Sequence, residues 1–496
     1  MRITNSIMNR NTKTNININK VNEDKLNTQM ATGQKITRPS DDPVIAIRAL
    51  RLNSNMEELN QYYDKNIPDA EAWLKITETA LSQTNSVLTN IKESITQGAS
   101  DDNNATDRQK ILDNMSAMRD QIYAAGNADY ANRTVFTGYR TGENLTFLED
   151  TTYAAGDGYT DIKEKFSIDD IETINYISGT VDVDADLTVT NTEYDIKEND
   201  VYRIRLAYDN IDNGSYSIKY TPSGSSSETT LNLTTKSIAG LSQSQIDAVY
   251  TGVGANDGYI IPETGEVILG SALRDTLLTS SNISVSYDKS EFNKNDLRPE
   301  HYFSCKLGGV NYETPGSEQD LKIEISFNQT ININSHADDA FSPSICRDVD
   351  ELIKATQDVV DAENKVKRLE EMAKDTTKYS SAQIDTINDM ITAATKEYDL
   401  LNEKMQNMFS EAETRFDKYL NDVNDEIARV GSLSKRLSLT KSRVGDQVQS
   451  MKELQDDNIN INLTDTAIDL SNAELALQAA QMAASKIAQQ TLLNYL

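Results

Sequence analysis

The sequence predicts a mainly α-helical chain with a β-rich insertion in its middle and two helical ends that pair with each other. Three observations carry this reading. The final stretch, Leu463 to Leu496, is rich in Ala, Leu and Gln and contains neither Gly nor Pro, a strongly helix-forming mixture. Apolar residues recur at heptad spacing on both sides of the chain's middle. Between about Thr146 and Ser335 the composition changes to Gly, Tyr, Thr, Ser and Asp, with period-two alternation.

Residues 1–32 have helical spacing at Ile7, Thr14, Ile18 and Val21, with Asn and Thr between them. Asn is a weak helix former, so this segment is expected to gain order by packing on the carboxyl-terminal helix. Gly33 suits the left-handed residue that ends a helix. A joint follows: Arg38, Pro39, Ser40, Asp41, Asp42 and Pro43. Pro39 pushes Arg38 into an extended conformation. Asp42 is placed to cap the next helix, with Pro43 at its first position, where a missing N–H costs nothing. Val44 to Asn60 continue as helix.

From about Asp69 to Gly98, Leu74, Leu81, Leu88 and Ile95 form a heptad seam with Thr77, Thr84 and Ile91 between them. Trp73 sits beside the seam as a packing anchor. Asp101, Asp102, Asn103 and Asn104 make a polar turn. Ile111, Met115, Met118, Ile122 and Ala125 make a second heptad face, closed by Gly126. The middle reads as an all-β insertion of one or two small domains. Strands are expected at Tyr202–Tyr208, Tyr216–Tyr220, Val267–Leu269, Ile283–Tyr287, Tyr302–Leu307 and Leu321–Phe327. Asp212-Asn213-Gly214 is a hairpin-type turn, and Gly265 and Gly308-Gly309 mark further turns. Helical period returns at Val349, Leu352, Val359 and Val366, breaks at Asp375–Ser381, and runs on from Ile387 to Met451, with Gly431 and Gly445 as candidate kinks. An acidic linker is expected over Gln455–Asn462. The terminal helix then carries two stripes. Leu470, Ala473, Leu477, Ala480, Ala484 and Ile487 form one; Ile468, Leu475, Ala479, Met482 and Leu493 form the other. Two apolar faces imply neighbours on two sides.

At 496 residues the chain should form more than one domain. Its net charge of −30 argues against nucleic-acid binding and against an anionic membrane surface. No apolar run is long enough for a transmembrane helix, and the amino terminus is Asn-rich without the apolar core of a secretory signal. Cys305 and Cys346 are too few for a disulfide framework. His301 and His336 lack metal-ligand spacing. Asp182, Asp184 and Asp186 with Glu193 at the twelfth position have the outline of a calcium loop. Its sixth position is Leu187 rather than Gly, and Val181, Val183 and Ala185 read better as a solvated strand edge. Gly252, Gly254 and Gly258 do not match the dinucleotide fingerprint. No catalytic residue, cofactor or metal is expected.

Several segments together resemble the flagellar hook-associated protein 3 family. They are Met1–Thr4, Thr32–Val44 with its Arg-Pro-Ser-Asp-Asp-Pro joint, Arg48–Leu52, Asn66–Leu81 with Ala72-Trp73-Leu74, Arg133–Gly138, and Ile461–Leu496. The resemblance covers roughly residues 1–145 and 410–496, and the joint is its most specific part. The run from Val349 to about Phe409 is longer than the family pattern requires, and the β insertion matches no motif of it. The resemblance implies a flagellin-like fold with three parts. These are an inner terminal-helix domain (1–40 plus 460–496), a helical bundle (41–148 plus 345–459) and an outer β-rich insertion (149–344). It implies a structural protein at the hook–filament junction of the bacterial flagellum, exported by the flagellar type III apparatus without a cleaved signal. The implied partners are further copies in a ring, hook-associated protein 1, flagellin, and an export chaperone on the carboxyl-terminal helix. The assembly interface on the inner helices would use Ile7, Ile18, Val21, Ile468, Leu470, Leu475, Leu477, Met482, Ile487 and Leu493, with Gly33 and Arg38–Pro43 as the joint. The alternatives are a flagellin-like filament subunit, and an enzyme or adhesin carried on the insertion.

Overall fold

The computed structural model describes residues 5–100, 105–154, 156–184, 187 and 194–493. The polar turn at Asp101–Asn104 and the Met1–Thr4 segment lie outside the described residues. The chain divides into two compact units. One comprises Met1–Ala70, Ile323–Ile331 and Lys435–Leu496; the other comprises Glu71–Lys322 and Asn332–Ser434.

The helices are α1 (Asn5–Thr32), α2 (Pro43–Gln61), α3 (Ile67–Gly98), α4 (Ala105–Gly126), α5 (Gln243–Thr251), α6 (Ser271–Leu277), α7 (Ser344–Lys374), α8 (Ser381–Ile459) and α9 (Leu463–Leu493). Between α2 and α3 the chain makes a π turn, Tyr62–Asn66, in which the Ile67 amide bonds to the Tyr62 carbonyl. Pro68 has no N–H for the Asp64 carbonyl, and the helix widens there instead of breaking. α8 is 79 residues long, about 120 Å at 1.5 Å per residue. It runs through Gly431 and Gly445 without a break, so neither glycine ends a helix. Gly445 makes room for a ring: a Cβ there would meet Tyr63 at 3.1 Å. The expected linker at Gln455–Asn462 is helical as far as Ile459. Only Asn460–Asn462 depart, and Asn462 Oδ1 accepts the Thr464 N–H at 3.1 Å to start α9.

In the larger unit the heptad seam is buried as its spacing predicts. Leu74, Thr77, Leu81, Thr84, Leu88, Ile91 and Ile95 are all fully covered. Thr77 and Thr84 are admitted because their hydroxyls bond back to the carbonyls of Trp73 and Ala80. Trp73 is enclosed, edge-on to Tyr130, with Arg133 over its face at 5.1 Å. Val349, Leu352 and Val359 of α7 are buried likewise, and α7 packs on α4.

The strands are β1 (Asp129–Tyr130), β2 (Arg133–Thr134), β3 (Thr151–Thr152), β4 (Tyr159–Phe166), β5 (Ile171–Ser178), β6 (Lys197–Arg205), β7 (Ser217–Thr221), β8 (Thr229–Asn232) and β9 (Thr234–Thr235). They continue as β10 (Gly258–Ile261), β11 (Glu266–Leu269), β12 (Ser281–Lys289), β13 (Glu291–Phe292), β14 (Ser304–Leu307), β15 (Val310–Tyr312), β16 (Lys322–Ser326) and β17 (Gln329–Asn332). Two sheets dominate, ordered β5-β6-β11-β10-β9 and β15-β14-β4-β12-β7-β8. Their inward residues, among them Ile204, Val267 and Leu269 from one and Ile162, Ile218 and Val285 from the other, share one core. The opposite face of the five-stranded sheet packs Val201, Ile261 and Ile268 against Tyr250 of α5. The insertion thus carries two short helices as well as its strands.

The turn at Asp212–Gly214 does not close a hairpin. β6 pairs with β5 and β11, whereas β7 pairs with β12 and β8, so the intervening chain crosses from one sheet to the other. Asp212 is consumed in anchoring that crossing: its amide bonds to Asp288 O, and its carboxylate accepts from the Ser290 amide and hydroxyl.

A buried ion cluster fastens the five-stranded sheet to α7 and α8. Arg203 reaches Glu266 at 2.5 Å, Glu172 at 2.8 Å and Glu351 at 2.8 Å. Arg205 adds Glu351 and Asp348, and Arg415 of α8 adds Glu172. The Tyr250 and Tyr419 hydroxyls donate to Glu266 and Asp348. Burial pushes Glu351 up, but Arg205 and Arg203 outweigh it and hold the carboxyl well below its usual range. Replacing Arg203 by Met should strand these carboxylates and cost about 3–5 kcal/mol in urea unfolding.

Glu164 behaves oppositely. Burial raises it from 4.5 to about 7, although the Tyr287 hydroxyl and the Ala207 amide donate to it. The unfolded chain releases this proton near pH 4.5 and the folded chain only near 7. Its stabilisation is therefore full below about 4.5 and is lost as pH rises to about 7. Glu164→Gln should leave the melting temperature unchanged near pH 4.5 and raise stability at pH 8 by about 2–3 kcal/mol.

Candidate assembly surface at the two chain ends

α1 and α9 lie antiparallel, so the first and last helices of the chain are paired. Their register is set at one end by a short backbone ladder. Lys35 N donates to Ile459 O at 2.7 Å and Ile461 N to Gly33 O at 3.0 Å, with Gln34 opposite Asn460. Further along, Asn19 Nδ2 donates to Ala476 O at 3.4 Å.

On α9 the two stripes separate. Ala473 and Leu477 are buried, and Leu470, Ala480 and Ala484 are half-buried. Ile468, Leu475 and Met482 on the other stripe stay 55%, 61% and 63% exposed. Ile487 and Leu493 lie where side chains are outside the described residues.

The seam on α1 differs from the expected one. Its covered positions are Thr12, Ile16, Asn19, Glu23, Leu26 and Met30, all half-buried. Ile7, Ile18 and Val21 point away from α9 and are 41%, 59% and 71% exposed. Residues two apart on a helix stand about 200° round from each other. The alternation Asn15-Ile16-Asn17-Ile18 therefore supplies one Ile to each side. Leu26 and Met30, at spacings of ten and fourteen from Ile16, were the signal for the inner seam.

The joint works through both of its aspartates. Gly33 takes φ +74°, the left-handed conformation, and its amide bonds back to Gln29 O. Asp41 Oδ2 accepts the amides of Arg38 at 2.9 Å and Thr37 at 3.1 Å, so it folds the turn. The Arg38 amide, then that of Thr37, holds the Asp41 carboxyl below its usual value. Asp42 Oδ1 caps α2 through Val44 N at 2.9 Å and Ile45 N at 3.2 Å, with Pro43 at the first helical position. Arg38, Pro39 and Ser40 are exposed on the outside of the turn.

The smaller unit, which holds both termini, exposes further large apolar side chains: Val44, Ile47 and Leu50 on α2, and Leu439 and Leu454 on α8. It is also electrically balanced. Its 16 Lys and Arg match its 16 Asp and Glu, so the net charge of −30 lies wholly in the other unit. A neutral surface with this much exposed apolar area has the composition of an interface rather than of a solvated face.

Residues 3–141 match the family model of the bacterial flagellin N-terminal helical region. Hook-associated protein 3 of Escherichia coli is 30% identical over 142 residues, which is 28% of this chain and 44% of that one. Its Salmonella typhimurium counterpart is 31% identical over 118 residues, 24% of this chain and 37% of that one. Its amino-terminal part is flagellin-like and similar to hook-associated protein 3. A flagellin of Clostridium tyrobutyricum is 27% identical over 143 residues, 29% of this chain and 38% of that one. The chain matches less than half the length of each of these relatives. Among solved structures, a putative flagellar hook-associated protein from Vibrio parahaemolyticus aligns over 85% of this chain and 100% of that one, at 10% identity and a TM-score of 0.37. A superposition that loose has no bearing on function.

The flagellin-like region thus spans α1, the joint, α2, α3, α4 and the β1–β2 hairpin. At its end Val135 and Phe136 are buried, and Thr134 Oγ1 donates to Glu143 O at 2.7 Å, so Arg133–Gly138 is a packing motif.

The other candidate groups are structurally engaged. Cys305 and Cys346 are buried free thiols, each pushed up to about 12 by burial, which leaves them poor nucleophiles. Burial lowers His301 to about 4, with its Nε2 3.1 Å from Asn144 O, and His336 pairs with Asp320. Among the described residues there is no cluster of His, Cys, Asp and Glu fit to hold a metal. Of the calcium-loop outline, Asp186 and Glu193 lie outside the described residues; Asp182 caps the Asp184 amide, and Asp184 pairs with Arg368 at 2.5 Å. Among the described residues no helix is long and apolar enough to cross a membrane.

Asp42→Ala should remove the α2 cap and cost about 1 kcal/mol locally. The amides of Val44 and Ile45 should then exchange with deuterium about fivefold faster, while those of the α3 heptad seam keep their rates.

Proposed function

We propose that this protein is a structural component of the bacterial flagellum at the junction between hook and filament, without catalytic activity. Copies would form a ring, with hook-associated protein 1 on one side and flagellin on the other. The inner domain (1–40 plus 460–496) would make the ring contacts, the bundle (41–148 plus 345–459) would support it, and the β-rich insertion (149–344) would face outward. The protein would reach the extracellular flagellum through the flagellar type III apparatus, with a chaperone covering α9 until export.

The observation that carries this reading is the paired terminal helices with an uncovered apolar stripe on each, in an electrically balanced unit. A chaperone suits the same stripe, since it shields apolar surface from water before assembly. The similarity to hook-associated protein 3 supports the junction over other flagellar positions. A filament role remains the second reading, favoured by the similarity to flagellin. Polymerisation separates the two. Purified protein at high concentration should form short oligomers and nucleate added flagellin; long filaments grown without flagellin would place it among filament subunits.

Removing Leu463–Leu496 should abolish oligomers in sedimentation while leaving the unfolding transition of the larger unit intact. Leu477→Asp would bury a charge in the α1–α9 seam at a cost of several kcal/mol. It should have the same effect as truncation without changing that transition.

A further inference from the structure

We infer that Asn213 is a site of spontaneous modification, at which the side-chain amide is lost through a cyclic imide formed with the backbone nitrogen of Gly214. The site lies in the turn that carries the chain from one sheet of the insertion to the other, and it does not depend on the flagellar reading.

Three observations select this residue. The first is the pair itself. Asn213-Gly214 is the only Asn-Gly in the sequence. Glycine has no side chain to shield its own nitrogen, and its backbone is free to take up the geometry of ring closure. The fold explains why glycine stands there. A Cβ on Gly214 would lie 2.7 Å from Cζ and Oη of Tyr216, whose ring is buried in the core shared by the two sheets. Packing of Tyr216 therefore requires the very residue that leaves Asn213 open to attack.

The second is that both reacting groups are uncommitted. Asn213 is exposed, and neither its side chain nor the Gly214 N–H bonds to any described residue. Other asparagines followed by a small residue are engaged. Asn53 and Asn85 precede Ser inside α2 and α3, where the next amide is held by the carbonyl four residues back. Asn334 precedes Ser335 but is buried; its Oδ1 accepts the Leu321 amide and its Nδ2 donates to Gln319 O.

The third is that the residues on either side are pinned. The Asp212 amide donates to Asp288 O at 2.9 Å, and its carboxylate accepts the Ser290 amide at 3.1 Å and hydroxyl at 2.7 Å. The Tyr216 hydroxyl donates to Asp212 O, and the Thr235 hydroxyl donates to Gly214 O at 2.6 Å. A change in the backbone at Asn213 has no slack to absorb it.

The chemistry balances with water as the only co-reactant. Hydroxide takes the Gly214 amide proton, and the nitrogen attacks Asn213 Cγ. The N–Cγ bond forms, the Cγ–Nδ2 bond breaks, and the amide leaves as ammonia with a proton from water. Water then opens the imide. Attack at Cγ gives aspartate; attack at the main-chain carbonyl leaves Gly214 joined to Cγ, which is isoaspartate. Isoaspartate adds one carbon to the main chain between pinned neighbours, so an anchor at Ser290 or Thr235 must give and the packing of Tyr216 loosens. Both products set a new carboxylate beside Asp212.

The test ages the full-length protein at mildly alkaline pH, with circular dichroism to confirm that it stays folded. Peptide mass spectrometry then follows conversion, and methyl transfer from S-adenosylmethionine by an isoaspartate methyltransferase marks the isoaspartate. The Asn213 peptide should convert several-fold faster than those holding Asn53, Asn85 and Asn334, and should carry the methyl label. The aged protein should melt at a lower temperature than fresh protein. Asn213→Gln, which would need a larger ring, should take no label at this peptide and should keep its melting temperature on ageing. If Asn213 stays unconverted in the folded chain while the same peptide converts in urea, the fold protects it and the inference is overturned. Equal loss of melting temperature in wild type and Asn213→Gln would overturn the claim that the turn has no slack.

Discussion

The ladder between Gly33–Lys35 and Ile459–Ile461 is the constraint on which the terminal unit depends. Two backbone hydrogen bonds and one residue pair hold together segments from opposite ends of the chain. Closing so long a loop is entropically costly, and two hydrogen bonds alone would not hold it. α8 reduces that cost by bringing the returning chain back to the joint as one helix. The ladder then sets the antiparallel register of α1 and α9 and so decides which side of each helix is inside. Gly33 makes this possible, because its left-handed conformation turns the chain out of α1 as the ladder begins. The two aspartates that follow fold the turn and start α2 within a few residues.

Charge is divided as sharply as structure. The unit holding the termini is neutral, whereas the other unit carries the full −30. A neutral surface can be covered without the repulsion that like-charged faces meet at contact distance. An acidic remainder is kept hydrated and apart from its neighbours. Inside that acidic unit, charge is handled by pairing: Arg203 and Arg205 gather Glu172, Glu266, Glu351 and Asp348 between sheet and helices. Such a cluster adds less stability than its distances suggest, because its members give up hydration. What it adds is geometric, since a planar guanidinium donates to carboxylates in few arrangements and so fixes how the sheet lies on α7 and α8.

Much of this was legible in the sequence. The heptad seam from Leu74 to Ile95, the cap at Asp42, the left-handed Gly33 and the two stripes of α9 all depend on local spacing or on one residue's stereochemistry. The features that escaped depend on partners far along the chain. Asp212-Asn213-Gly214 has hairpin chemistry, yet the strand after it joins another sheet, and only the core shared by both sheets decides that. The segment after Gln455 reads as a polar linker because it is acidic, but helix continues to Ile459 since nothing before Asn460 stops it. On α1 helical spacing picks out Ile7, Ile18 and Val21, whereas the inner seam is Ile16, Asn19, Glu23 and Leu26. Nothing in α1 alone ranks one weakly apolar face above the other; the register of the ladder does.

That ambiguity in α1 is informative about assembly. A helix with Asn and Thr at so many positions has little intrinsic stability, and its inner seam is only half-buried. Its pairing with α9 is therefore weak when the pair stands alone, although α9 has a strong helical composition. Covering the outer stripe would remove further apolar surface from water, because Ile18 and Val21 are 59% and 71% exposed. Binding that selects the paired state stabilises it by mass action. Folding of the terminal pair and covering of its outer stripe then become one equilibrium.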